Sequence, residues 1–196
     1  MKCRHASKGD LDRVCEVLAT AFYSEPLHQI IFPDSEKRLE TLRNFFRIYV
    51  DLASERGGTL LTENNAGVLV YFRPDSMYMN DKERILFDNQ LRDVCGSCYN
   101  AALTLNNGLE YFHPEAPSHF YISLLAVHKS SRGGSLVSSL FNTLNTMLDR
   151  EGFPCYAECT RLSTRTLLRR WGYYDAASPL RIEGMPELYP VWREPR

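Results

Sequence analysis

Residues His119–Glu151 read HFYISLLAVHKSSRGGSLVSSLFNTLNTMLDRE. Nine mostly apolar residues, His119–Val127, lead into a basic loop of small residues, His128–Ser135. Beyond it Leu136, Leu140, Leu144 and Leu148 recur every fourth residue, with Val137, Phe141 and Met147 beside them. That change of period predicts a strand, a tight turn and a helix. Gly133 and Gly134 let the backbone approach a ligand with no side chain in the way. The helix aims its first unpaired N–H groups and the positive end of its dipole at the turn. Arg132 and Lys129 add positive charge, and Ser135 is placed to cap the helix. Together these features predict a cradle for a phosphate.

Two common phosphate signatures do not fit. A Walker A loop requires G-x-x-x-x-G-K-[ST], and the chain has no Gly-Lys-Ser or Gly-Lys-Thr. A dinucleotide fingerprint requires G-x-G-x-x-G early in a βαβ unit, a spacing that Gly133-Gly134 does not supply. A third pattern fits better. Val127, then Arg132-Gly133-Gly134-Ser135-Leu136-Val137 after four residues, resembles motif A of the GNAT superfamily of N-acetyltransferases. There a strand ending in valine precedes [Gln/Arg]-Gly-x-Gly-x-[Gly/Ala]. Arg132 and Gly133 match; Ser135 and Val137 depart from it, and Val137 is bulky enough to narrow the cradle. Downstream, the strand-like Pro154–Thr160 and a short helix over Ser163–Trp171 end at Gly172-Tyr173. That order resembles the family's motif B. Leu188–Pro195 resembles the closing strand of many members.

The resemblance implies an α/β fold of the GNAT acyltransferase type. Its mixed central sheet would have about six to seven strands flanked by helices, with a splayed parallel pair at the cofactor site. By resemblance, acetyl-CoA is the cosubstrate and no metal is needed. The pantetheine arm would lie along Leu125, Ala126 and Val127. The pyrophosphate would sit on the backbone of Arg132, Gly133, Gly134, Ser135, Leu136 and Val137, with Ser163 a further cofactor contact. The activity implied is acetylation of a small-molecule or peptide amine, with no covalent enzyme intermediate.

The catalytic residues are less regular. Some members carry a glutamate base six residues before the motif A valine, where this chain has Tyr121. A phenol is a poor base near neutral pH, but it can orient a water or an amine. His119 lies two residues earlier, on the same face of a strand, with a side chain suited to base work; a structural hydrogen bond is the other reading. Glu158 is the one carboxylate on the next strand, free to hold the acceptor ammonium or to pair with Arg161 or Arg165. Where many members have a tyrosine four residues before the motif B glycine, this chain has Leu168, so the acid for the thiolate is open. A non-catalytic acyl-CoA-binding or sensory domain of the same fold is therefore the alternative reading, and a nucleotide-binding enzyme a more distant one.

Composition narrows the class. At 196 residues the chain fits one domain, and 44% hydrophobic with 24% charged residues is ordinary for a globular protein. A formal net charge of −1 gives no reason to expect nucleic acid. No run reaches the length of a membrane span, and MKCRHASKGD has no apolar core for a signal peptide. A cytoplasmic protein is expected, with a homodimer left open. Six cysteines are present. Cys95 and Cys98, with Cys155 and Cys159, have spacing that admits a zinc site, but small buried hydrophobes are the simpler reading.

The rest of the chain reads as follows. Residues 3–6 form a short strand, and Ser7 to Asp10 is a capping-box-like start. Leu11, Val14, Leu18, Ala21 and Phe22 share a helical face, and Ser24-Glu25-Pro26 stops that helix. Pro33 opens a second helix that ends at Gly57-Gly58. Residues 59–62 and 67–72 make a hairpin across Glu63 to Ala66. One helix is expected over Asp81–Leu105, ended by Asn106-Asn107-Gly108, and a loop over Glu110–Pro117. This insertion resembles a cap over the acceptor side. Its acids (Asp75, Asp81, Glu110, Glu115) and aromatics (Tyr78, Tyr111, Phe112) suit a cationic amine or, equally, a solvated face.

Overall fold

The computed structural model describes residues 2–128 and 135–196. Among these, the strands are β1 (Cys3–His5), β2 (Gly57–Thr62), β3 (Gly67–Phe72), β4 (Phe120–Val127), β5 (Cys155–Cys159), β6 (Tyr174–Asp175) and β7 (Tyr189–Arg193). They form one seven-stranded sheet in the order β1-β2-β3-β4-β5-β7-β6. Each pairing is antiparallel except β4 with β5, which is parallel. The helices are α1 (Leu11–Phe22), α2 (Pro26–Ile31), α3 (Arg38–Arg56), α4 (Asp81–Cys95), α5 (Tyr99–Phe112), α6 (Leu136–Glu151) and α7 (Leu162–Leu168). None is long and apolar enough to cross a membrane.

The sheet separates two cores. On one face α1, α3, α4 and α5 pack on Val68, Val70, Phe72, Tyr121, Tyr156 and Trp192. On the other, α6 packs through Leu140, Phe141, Leu144 and Leu148 on Leu69, Phe120, Ile122, Cys155, Ala157 and Cys159. Alternation along β4 slips once. Tyr121 faces the first core and Ile122 the second, yet Leu124 faces the first and Leu125 the second. The register against β3 jumps at the same place, from Tyr71↔Ile122 to Val70↔Leu124. Ser123 is the extra residue of a β-bulge, which bends its strand.

The bend has a consequence next door. β4 pairs with β5 only at Phe120↔Cys155, Tyr121↔Tyr156 and Ile122↔Ala157. Both strands continue, but beyond Ile122 they part. The edge of β4 from Ser123 to Val127 therefore faces an opening instead of a strand.

Several sequence expectations need correction. Pro26 does not merely stop α1; it opens the short helix α2, where a missing N–H costs nothing. The next helix begins at Arg38, not at Pro33. The insertion holds two helices, not one, because Gly96 at φ 51 breaks α4 from α5. Asn106-Asn107-Gly108 does not end α5, which runs on to Phe112 and takes in the first three residues of the expected loop, leaving 113–117 outside any helix or strand. Gly108 is there for space: a Cβ on it would meet Ile182 Cδ1 at 2.6 Å and Cγ2 at 2.9 Å. Ile182 is itself buried. Gly108→Ala is expected to lower stability by about 1 kcal/mol, the crowding outweighing the helix-propensity gain. Thermal unfolding should show a loss of roughly 2–4 °C.

Ser7 to Asp10 does form the expected start, with the Ser7 N–H donating to Asp10 Oδ2 at 2.7 Å. Ser135, by contrast, makes no side-chain cap on α6. All six cysteines are free thiols. Cys95 lies in one core and Cys155 and Cys159 in the other, across the sheet. A single ion cannot join the two pairs.

Candidate active site

The opening between β4 and β5 leads into a cavity of about 1020 Å³ that continues under the α4–α5 insertion. Leu125, Ala126 and Val127 line it from β4, Val137 from α6 and Ser163 from α7. Ser135 and Leu136 do not; the Leu136 side chain is buried. Lys129, Arg132, Gly133 and Gly134 lie outside the described residues.

His119, Tyr121 and Glu158 all line the same cavity. Tyr121 and Tyr156 are register partners across the parallel pair, and their rings stack with centroids 6.2 Å apart. Glu158 lies two residues beyond Tyr156 on β5, hence on the same face. Its Oε1 is buried with no hydrogen-bond partner in the structure. Burial pushes the carboxyl up to about 7, although the Tyr121 and Tyr156 hydroxyls act in the opposite direction. Burial, with the neighbouring Glu158 next, holds the Tyr121 phenol far above its ordinary value, so it stays protonated.

Glu158 pairs with neither arginine considered from the sequence. Arg161 binds Glu25 at 2.7 Å, and Arg165 binds Asp175. Glu158 lines the cavity instead.

His119 has both ring nitrogens engaged. Nδ1 lies 2.7 Å from the Pro117 carbonyl oxygen. A carbonyl only accepts, so Nδ1 carries the proton. Nε2 lies 3.1 Å from Nε2 of His113, which must then be the donor. The basic lone pair of His119 is thus occupied, and burial lowers its pKa further. His113 is pushed down to about 4, chiefly by burial, with His119 adding to it. The rings of His113 and His119 stack at 5.0 Å, and His119 also packs on Trp192 at 5.0 Å. His119 is a fixed wall of the site.

Leu168 is buried at 2% exposure, and the Tyr173 hydroxyl is buried beside Cys155 in the α6 core. Neither offers an acid to the cavity.

Of the cap residues noted from the sequence, Asp75, Tyr78, Glu110 and Glu115 line the cavity, whereas Asp81, Tyr111 and Phe112 do not. Tyr111 is 82% exposed on the outside. The deeper wall was not apparent in the sequence. It is aromatic, built from Phe22, Phe45, Tyr49 and Phe87. Tyr49 donates to Asn106 Oδ1 at 2.6 Å. His28, pressed against Phe22 and Phe46, is pushed by burial down to about 3 and stays neutral. Tyr156 had one legible signal, its place two residues before Glu158. The α1 and α3 aromatics gave only the pattern of a core face.

No family model matches the chain, and no curated protein matches it in sequence. Solved structures do match. One is an acetyltransferase from Corynebacterium glutamicum, described as histone acetyltransferase HPA2 and related acetyltransferase. It shares 20% identity at a TM-score of 0.76, over 100% of this chain and 96% of that one. Arylalkylamine N-acetyltransferase 2 from Aedes aegypti shares 14% at 0.57, over 100% and 99%. An N-acetyltransferase from Staphylococcus aureus Mu50 shares 16% at 0.56, over 98% and 100%. The chain has the fold of the GNAT acetyltransferases.

Proposed function

We propose that this chain is a GNAT-superfamily, acetyl-CoA-dependent N-acetyltransferase, one domain over residues 1–196, acting on a primary amine of a small molecule or peptide. The observation that carries the reading is the splay of β4 from β5 over a cavity that holds a buried carboxyl, Glu158, with neither Arg161 nor Arg165 paired to it. The cradle fits the cosubstrate: β4 leaves its backbone edge open from Ser123 to Val127, where an extended arm finds hydrogen-bonding groups. Acetyl-CoA supplies the activated acetyl thioester.

The residues then divide the work. Glu158, with a pKa near 7, accepts the proton that the attacking amine loses, directly or through water. Tyr121 and Tyr156 hold that carboxyl in place as donors. A backbone N–H near Leu125 is the candidate donor to the thioester oxygen. His119 positions the Pro117 turn and the Trp192 ring and is not the base. The C–N bond forms as the C–S bond breaks, and the thiolate takes its proton from solvent, since no side-chain acid serves it among the described residues. Direct attack needs no enzyme nucleophile. Free thiols throughout support a reducing, cytoplasmic setting.

The test is a melting-temperature series with acetyl-CoA, CoA, ATP and NAD. Acetyl-CoA at about 100 times its Kd should stabilise the native chain by about 2.7 kcal/mol, a shift on the order of 5–10 °C. Thiol release with amines then follows. A shift without thiol release for any amine would favour the non-catalytic acyl-CoA-binding reading, which the buried Leu168 and the occupied His119 support. A shift with ATP alone would overturn both.

A further inference from the structure

The cavity has a large apolar wall, and the acids nearest it in sequence are held within the chain. Phe45 and Tyr49 lie ring to ring at 5.1 Å, and Tyr49 and Phe87 at 5.8 Å. Leu91 and Leu109 close the same side. Three of the acids that line the cavity are held within the chain. Glu25 is bound by Arg161 at 2.7 Å and Glu110 by Arg84 at 2.6 Å. Asp88 is held by the Tyr99 hydroxyl and faces Arg92. Among the described lining residues this leaves without a cationic partner Glu158 at the splay, Asp75, which accepts from Ser118 Oγ at 2.7 Å, and the exposed Glu115.

We infer that the acceptor is a monoamine with an apolar, ring-bearing body, and that Phe87 and the rings beside it select it. This rests on the acetyl-transfer reading for the chemistry, though not for the binding. A second ammonium laid against this apolar wall would be stripped of water with Asp88 and Glu110 already held by the chain, which is strongly unfavourable. A polyamine or a lysine-rich peptide is therefore disfavoured. A ring laid against Tyr49 and Phe87 exchanges water for apolar surface. Glu158 serves the single amine.

The experiment compares phenethylamine, propylamine, spermidine and a lysine-containing peptide at saturating acetyl-CoA, by thiol release. The same four are titrated calorimetrically with CoA present. Phenethylamine should exceed propylamine in kcat/KM by at least about tenfold and spermidine by more. Phe87→Ala should narrow the phenethylamine-to-propylamine ratio about tenfold, through KM. Phe87→Leu, which keeps more of the packing, should give a smaller loss in the same direction. Binding of phenethylamine without thiol release would support this inference and overturn the transfer reading. Preference for spermidine or peptide would overturn this inference and leave transfer standing. Absence of binding and turnover with all four would overturn it as well, with the acetyl-CoA melting shift deciding the transfer reading separately.

Discussion

Glu158→Gln should reduce acyl transfer by about 10²–10⁴-fold in kcat, the usual contribution of a positioned base, while the melting shift with acetyl-CoA survives. The amide keeps the size of the side chain and its place between Tyr121 and Tyr156, so cosubstrate binding has no reason to fail. Stability should move the other way. The folded carboxyl titrates at about 7 against an ordinary 4.5. Folding therefore favours the protonated form, and its contribution to stability is lost as pH rises from about 4.5 to about 7. Above that the native chain carries a buried charge that costs up to roughly 3 kcal/mol. Glutamine carries no charge, so the variant should melt higher than the parent at pH 8 and lose that advantage near pH 4.5. For the parent, kcat/KM should rise with pH through an inflection near 7. Full turnover in the variant, or a melting advantage independent of pH, would remove Glu158 from the mechanism.

The position of that carboxyl explains why the fold was more legible than the site. Strand, turn and helix over His119–Glu151 are announced by local periodicity, and so is the parallel partner Pro154–Thr160. The splay is not, because it follows from one extra residue, Ser123, in an unbroken apolar run. A bulge there leaves hydropathy unchanged and shows only in the register against β3. The base proposed here lies on β5, not on β4, since Tyr121 pairs with Tyr156 and Glu158 follows on the same face. Sequence spacing treats the two strands separately and cannot bring them side by side. The engagement of the His119 ring was hidden for a similar reason: its partner His113 lies in a segment that reads as loop, and only the fold turns it back onto the ring. The cap acids misled because a partner such as Arg84 for Glu110 comes from another element.

Arg193 is the clearest case of a residue whose importance only the structure reveals, and replacing it should have the largest effect on stability. It stands near the chain's end in a run that reads as a closing strand, yet its side chain is 3% exposed. Nη2 grips both Asp149 oxygens, at 2.8 and 2.9 Å, and Nε donates to the Trp171 carbonyl at 3.1 Å. One side chain thus joins β7, the end of α6 and the turn after α7. Trp171 in turn stacks on Phe141 of α6 at 4.9 Å, and Phe141 lines the cavity. Arg193→Met keeps the apolar stem but strands a carboxylate and a carbonyl. Breaking a buried pair from one side costs about 3–5 kcal/mol; because Asp149 retains 29% exposure and the Arg196 N–H, roughly 2–4 kcal/mol is expected here. Melting should fall on the order of 10 °C, and KM for acetyl-CoA should rise as α6 loosens. The double variant Arg193→Met/Asp149→Leu removes the stranded charge and should recover at least about half of the loss. A single variant that melts within a degree of the parent, or a double variant less stable than the single, would show that the pair does not hold α6 to the sheet.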